Sequence, residues 1–114
     1  MFARLMGLKT ISPGDLHGLV EGHEPVTVFD VNSRGSWMTA HVPGASHLDP
    51  AAYKDTDLPP DKSTALVFYC SNPMCRKAPN AARRAKQMGY ANVRVMSAGI
   101  SGWVAANLPT EAGA

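Results

Sequence analysis

The chain has 114 residues, 45% hydrophobic and 18% charged, a balance that can build one core near the modal domain size and excludes a disordered, tail-like protein. A formal net charge of +2 is too small to imply a nucleic-acid partner. The longest unbroken apolar run, Ala65 to Cys70, falls far short of the roughly 20 residues that cross a bilayer, so no membrane span is expected.

The first residues, Met1 to Lys9, include Arg4 and Lys9 but lack the apolar stretch and small-residue cleavage site of an export signal, and a cytoplasmic location is the resulting expectation. Ser12 reads as a helix cap with Pro13 at the first helical position, and Leu16, Leu19 and Val20 follow at helical spacing until Gly22. Val26 to Val31 reads as a strand. Asp49 to Asp61, with Pro50, Pro59, Pro60 and an acidic bias, predicts a surface connection holding one short helical turn. Ala65 to Cys70 is a second strand, apolar on both alternating faces, which places it at the centre of a parallel sheet covered by helices on either side. A helix is predicted from about Ala78 or Pro79 to Met88, stopped by Gly89 in a left-handed conformation, and Asn92 to Met96 is a third strand. Strands alternating with helices predict one α/β domain over residues 1–114, with a small, mainly parallel sheet flanked by helices in three layers.

Ligands of open α/β sheets bind beyond the carboxyl ends of the strands. Cys70 stands at that end of the predicted central strand and is followed by Ser71-Asn72-Pro73-Met74-Cys75-Arg76-Lys77 and a helix start. Such a loop can turn its amides toward an anion at the positive helix end. A cysteine there, with Arg76 and Lys77 beside it, is expected to be acidified into a nucleophile, and Arg76 offers a planar fork for two anionic oxygens. Ser71, Asn72, Met74, Cys75, Arg76 and Lys77 are therefore the candidate anion- or substrate-binding residues. Cys75 reads as a resolving or incidental thiol. The alternative for Cys70 is a buried strand cysteine acting as a small hydrophobe.

Several ordered motifs carry a resemblance. Phe29-Asp30-Val31, Trp37 and His41-Val42-Pro43-Gly44-Ala45 are followed by Tyr69-Cys70, then Gly89-Tyr90-Ala91-Asn92-Val93, Ala98-Gly99-Ile100-Ser101-Gly102-Trp103 and Leu108-Pro109. Over about residues 8 to 110 the chain resembles the rhodanese-like family of sulfurtransferases. The resemblance implies a rhodanese-like fold and a Cys70 thiolate that attacks the outer sulfur of thiosulfate or a related donor. Sulfite then leaves, and a persulfide remains for transfer to cyanide, a thiol or a protein acceptor. It implies no cofactor and no metal.

The loop departs from the usual sulfurtransferase pattern. Arg76 lies six positions after Cys70 rather than five, and no glycine intervenes. That length resembles the related dual-specificity phosphatases and arsenate reductases, which makes a cysteine-dependent phosphatase or arsenate reductase the second expectation. A non-catalytic docking module, or a redox sensor using Cys70 and Cys75, is the third. Pro73 removes one amide donor, and Asn72 is expected to supply a left-handed turn. Asn32 and Ala40 also stand where many family members carry arginine and glycine.

His41 and His47 are too sparsely spaced with the cysteines to predict a structural zinc site. Asp30 and His41 are instead expected to support the site by anchoring local amides and the Pro-Gly turn. Trp37 and Trp103 read as packing residues whose indole N–H groups find partners. Arg83, Arg84 and Lys86 are expected on a solvated helix face, for general anion attraction or docking, and no reading helix or interleaved aromatics point to nucleic acid.

Overall fold

The computed structural model describes residues 2–114. Its centre is one five-stranded sheet made of β1 (Lys9–Thr10), β2 (Val26–Asp30), β3 (Ser46–His47), β4 (Ala65–Tyr69) and β5 (Val93–Val95), in the order β1-β5-β4-β2-β3. Every pairing is parallel, so the sheet is wholly rather than mainly parallel. The helices are α1 (Phe2–Leu5), α2 (Pro13–Glu21), α3 (Arg34–Thr39), α4 (Lys77–Gln87) and α5 (Gly99–Ala105).

The central place of β4 follows from its composition. Leu66, Phe68 and then Cys70 face one layer, where they meet Ala78, Ala81, Ala82 and Ala85 of α4. Val67 and Tyr69 face the other, against Leu16 of α2 and Trp103 of α5. This is the two-residue period of a strand with both faces buried. The four alanines let α4 lie close on the sheet, so small side chains bring the start of this helix up to the strand end.

The predicted helix boundaries match. Ser12 accepts a hydrogen bond from the Asp15 amide at 3.1 Å and Pro13 opens α2, while Gly89 adopts φ +102° after α4. The segment between β3 and β4 does hold one 3-10 turn, Asp55–Asp57, yet it is more than a surface connection. Tyr53 and Leu58 are buried in the α4-side core, and the Tyr53 hydroxyl donates to the Ala81 carbonyl at 2.6 Å. The aromatic ring needs burial, and its phenol finds an acceptor on the helix it covers. Arg84 is drawn into the same contact. It donates to the Tyr53 carbonyl at 2.9 Å and lies over the Tyr53 ring, so it serves packing rather than a docking surface, while Arg83 and Lys86 are exposed. Among the described residues no helix is long and apolar enough to cross a membrane.

Candidate active site

Cys70 follows β4 and its side chain, 3% exposed, points to the α4 layer. The amide of Ala78, in the first turn of α4, donates to Cys70 Sγ at 3.4 Å, and the Cys70 thiol faces the Cys75 carbonyl at 3.6 Å. Beside this sulfur lies a cavity of about 10 Å³ lined by Ala3, Cys75, Ala78, Pro79, Met96 and Ser97, room for about one water-sized atom. The Ser97 hydroxyl is buried and has no hydrogen-bond partner among the described residues.

Asn72 shapes the loop, but not through a left-handed backbone, since it is absent from the positive-φ residues, His23 and Asn107. Its side-chain carbonyl accepts from the Met74 amide at 2.9 Å, and its main-chain carbonyl accepts from the Cys75 amide at 3.1 Å. This side-chain-closed turn returns the chain so that Cys75 sits over Cys70. Asn72, Pro73 and Met74 are exposed, as are Arg76 and Lys77 at the start of α4. With the Met74 and Cys75 amides bound to Asn72, the Ala78 amide bound to sulfur, and no amide hydrogen on Pro73, these donors are directed within the loop and at the sulfurs rather than around a tetrahedral anion.

The two thiols invert the expected order of acidity. Burial pushes Cys70 up to about 12, reinforced by its hydrogen bond with the Cys75 side chain, and the Ala78 and Ser71 amides only partly oppose this. The expected acidification by the helix end loses to desolvation because apolar residues from remote segments close over the sulfur. Cys75 is different. Its partial burial alone would raise it, but hydrogen bonds from Cys70, the Lys77 amide and the Ser71 amide and side chain outweigh this and hold it below the ordinary thiol value.

Support for the loop comes from two directions. The Ile100 and Ser101 amides donate to the Cys70 and Ser71 carbonyls at 2.9 and 3.0 Å. They reach them because Gly99 adopts φ +66° with no side chain. A Cβ there would stand 2.6 Å from the Asn72 nitrogen and the Ser71 carbonyl carbon. On the other side, Asp30 accepts from the Tyr69 hydroxyl at 2.7 Å and from the Asn32 amide at 2.9 Å, and the Tyr69 oxygen accepts from the Val42 amide at 3.0 Å.

His41 is joined to the Trp37 carbonyl through Nδ1 at 2.8 Å, stacks on the Trp37 ring and pairs by backbone with Glu111. It lines a wider depression of about 600 Å³ with Arg34, His47 and Glu111, from which Cys70 is absent. Asp30 and His41 therefore brace the turns around the site and neither hydrogen-bonds the thiol. Both indoles are bonded, Trp37 to the Ala45 carbonyl at 2.9 Å and Trp103 to the Pro109 carbonyl at 2.7 Å. Sequence reasoning quoted Gly99 only within the Ala98 to Trp103 motif, with no role at the site, and did not single out Ser97. A glycine opening the short helix α5 was the available signal for the first, and Ser97 had none.

The model of the Rhodanese-like domain matches residues 12–106 of the chain. A curated relative, the HTH-type transcriptional regulator Rv0324 of Mycobacterium tuberculosis, is 33% identical over 91 residues, which are 78% of this chain and 39% of the regulator. The chain thus spans well under half the length of that protein. Among solved structures, the BH2092 protein from Bacillus halodurans superposes with a TM-score of 0.83 at 25% identity, covering 97% of this chain and 83% of that one. A thiosulfate sulfurtransferase from Pseudomonas aeruginosa has a TM-score of 0.85 at 18% identity over 99% of this chain and 22% of its own, a likeness of fold alone.

Proposed function

We infer that this chain, which belongs to the rhodanese-like domain family, is a sulfurtransferase. It carries a sulfane sulfur from thiosulfate or a related anionic donor to a thiophilic acceptor (a thiol, cyanide or a protein cysteine) as a persulfide on Cys70. Support comes above all from the cavity beside Cys70, which leaves room for about one small atom against the sulfur. The Ala78 amide already donates to Cys70 Sγ, and the positive end of α4 favours the negative charge of a persulfide.

Chemistry begins with the loop lifted. Burial is the main reason the Cys70 thiol holds its proton, so hydrating the sulfur returns it toward ordinary acidity. The exposed Asn72 to Met74 stretch is closed by local bonds from Asn72, which makes this motion a local one. The thiolate attacks the outer sulfur of thiosulfate, a sulfur–sulfur bond forms, the original one breaks, and sulfite departs with its electron pair. Arg76 and Lys77, exposed at the loop's end, offer positive charge to both anions.

A phosphatase or arsenate reductase would leave a phosphoryl- or arsenic-centred group on the cysteine, far larger than the cavity beside Cys70, whereas a sulfurtransferase leaves a single atom. The sulfurtransferase is tested with reduced Cys75→Ser protein and thiosulfate, followed by mass spectrometry. One added sulfur on Cys70 with matching sulfite release is expected. A folded protein that takes up no sulfur, or one that does so equally well as Cys70→Ser, refutes the assignment.

A further inference from the structure

Cys75 is not needed by the transfer just described, yet it sits against the transferring sulfur. The Asn72 turn folds the chain so that the Cys75 carbonyl faces Cys70 Sγ at 3.6 Å. Both residues line the same small cavity. Cys70 is buried whereas Cys75 is only half-buried, so one sulfur is sheltered while its neighbour reaches the loop surface.

We propose that Cys75 is a resolving thiol which gives the chain a second activity, the reductive release of the carried sulfur as hydrosulfide. This rests on the Cys70 persulfide reading. The Cys75 thiolate attacks Cys70 Sγ of the protonated persulfide, a Cys70–Cys75 bond forms, and the bond from Cys70 Sγ to the outer sulfur breaks. The outer sulfur leaves as HS⁻ with the bonding pair. The cysteine pair is oxidised by two electrons and the sulfane sulfur is reduced by the same two, so one turnover needs no outside reductant. A further turnover requires two equivalents of a low-molecular-weight thiol, or one of a dithiol, which reopens the disulfide and is itself oxidised.

Three features favour this step. Attack by a neighbouring thiol is intramolecular, which raises its effective concentration far above that of a free acceptor. The hydrogen bonds onto Cys75 keep it more ionised at neutral pH than an ordinary thiol, and the thiolate is the attacking form. The persulfide's outer sulfur, unlike a thiol's proton, is a leaving group, so the same contact that is inert in the resting pair becomes productive once sulfur is loaded.

The test uses the whole chain, fully reduced and freed of reductant, with one equivalent of thiosulfate, followed by alkylation, mass spectrometry, and sulfite and sulfide assays. Wild type is expected to release sulfite and hydrosulfide in equal amounts, to end as an internal disulfide, and to resume only when dithiothreitol is added. Cys75→Ser and Cys75→Ala are expected to release sulfite alone and to keep the sulfur on Cys70. Wild type that retains its persulfide like the variants, or that moves the sulfur onto Cys75 with no disulfide, overturns the step while leaving the sulfurtransferase intact. Absence of sulfite from wild type and both variants overturns the Cys70 reading, and the step with it.

Discussion

Asp30 and Tyr69 are register partners on neighbouring parallel strands, and the Tyr69 hydroxyl donates to Asp30 Oδ2 at 2.7 Å where neither residue is exposed to solvent. Because the same oxygen accepts from the Val42 amide, one phenol ties the end of β4 to the end of β2 and to the turn after α3. Cys70 is the next residue along, so this tie fixes the base from which the reactive sulfur projects.

Tyr69→Phe removes that oxygen, leaving a buried Val42 amide and one oxygen of a buried carboxylate without this partner. Each unsatisfied buried group costs about 1–3 kcal/mol, so urea unfolding is expected to show a loss in at least that range. The effect of adding Asp30→Ala should be strongly non-additive, since both changes dismantle one network. Full additivity would mean the two groups are energetically independent.

Gly99→Ala introduces a methyl group at φ +66°, 2.6 Å from the Asn72 nitrogen and the Ser71 carbonyl carbon. The backbone conformation alone costs about 1–2 kcal/mol for a residue with a Cβ, and the collision is with main chain, which cannot swing aside as a side chain would. We expect clear destabilisation, a displaced loop and faster alkylation of Cys70. Unchanged stability and unchanged Cys70 protection would show that the contact does not hold the loop down.

The strand β4 and the helix α4 were legible because each carries a long local signal, an apolar run in one and helix formers ended by Gly89 in the other. The edge strands Lys9–Thr10 and Ser46–His47 were not, since two residues cannot display an alternation and become strands only through the β5 and β2 neighbours they pair with. The helix Arg34–Thr39 contains glycine, serine and threonine and had only the Ser33 cap to announce it. At the site, the place of Cys70 could be read from the strand-to-loop transition. Its acidity could not, because residues that line the space beside it, Ala3 and Met96 among them, come from distant parts of the chain.

Ser97→Ala is expected to leave the fold intact, since the hydroxyl is buried with no partner and its loss breaks no bond. It should nevertheless slow formation of the Cys70 persulfide, because Ser97 lines the cavity the added sulfur would enter. A hydrogen bond to a charged group contributes about 1.5–3 kcal/mol, which corresponds to a reduction of roughly tenfold or more in the rate of sulfite release. An unaltered rate would mean that the hydroxyl does not meet the incoming sulfur.

The acidity of the two thiols has opposite consequences for reactivity and for stability. At neutral pH the half-buried Cys75, held below its ordinary value, should be alkylated well before Cys70, which burial keeps protonated up to about 12. Peptide mapping after brief alkylation checks this, and labelling of Cys70 first would contradict it. For stability the sign follows from proton counting. The folded state keeps the Cys70 proton across the interval from an ordinary value of 9.0 to about 12, while the unfolded chain gives it up, so the contribution is complete below that interval and is lost as pH rises through it. Tyr53, raised from 10.0 to about 12 by burial, adds a loss of the same sign that begins higher. Cys75 contributes with the opposite sign, its stabilisation being present above the ordinary thiol value and lost as pH falls through its lowered folded value. Between pH 9 and 10 the raised tyrosines Tyr53, Tyr69 and Tyr90 begin to contribute losses of the same sign, so the share of Cys70 is read from the difference in slope of the unfolding free energy between wild type and Cys70→Ala. Wild type should lose stability across this span, and Cys70→Ala, whatever its absolute stability, should show a visibly flatter slope.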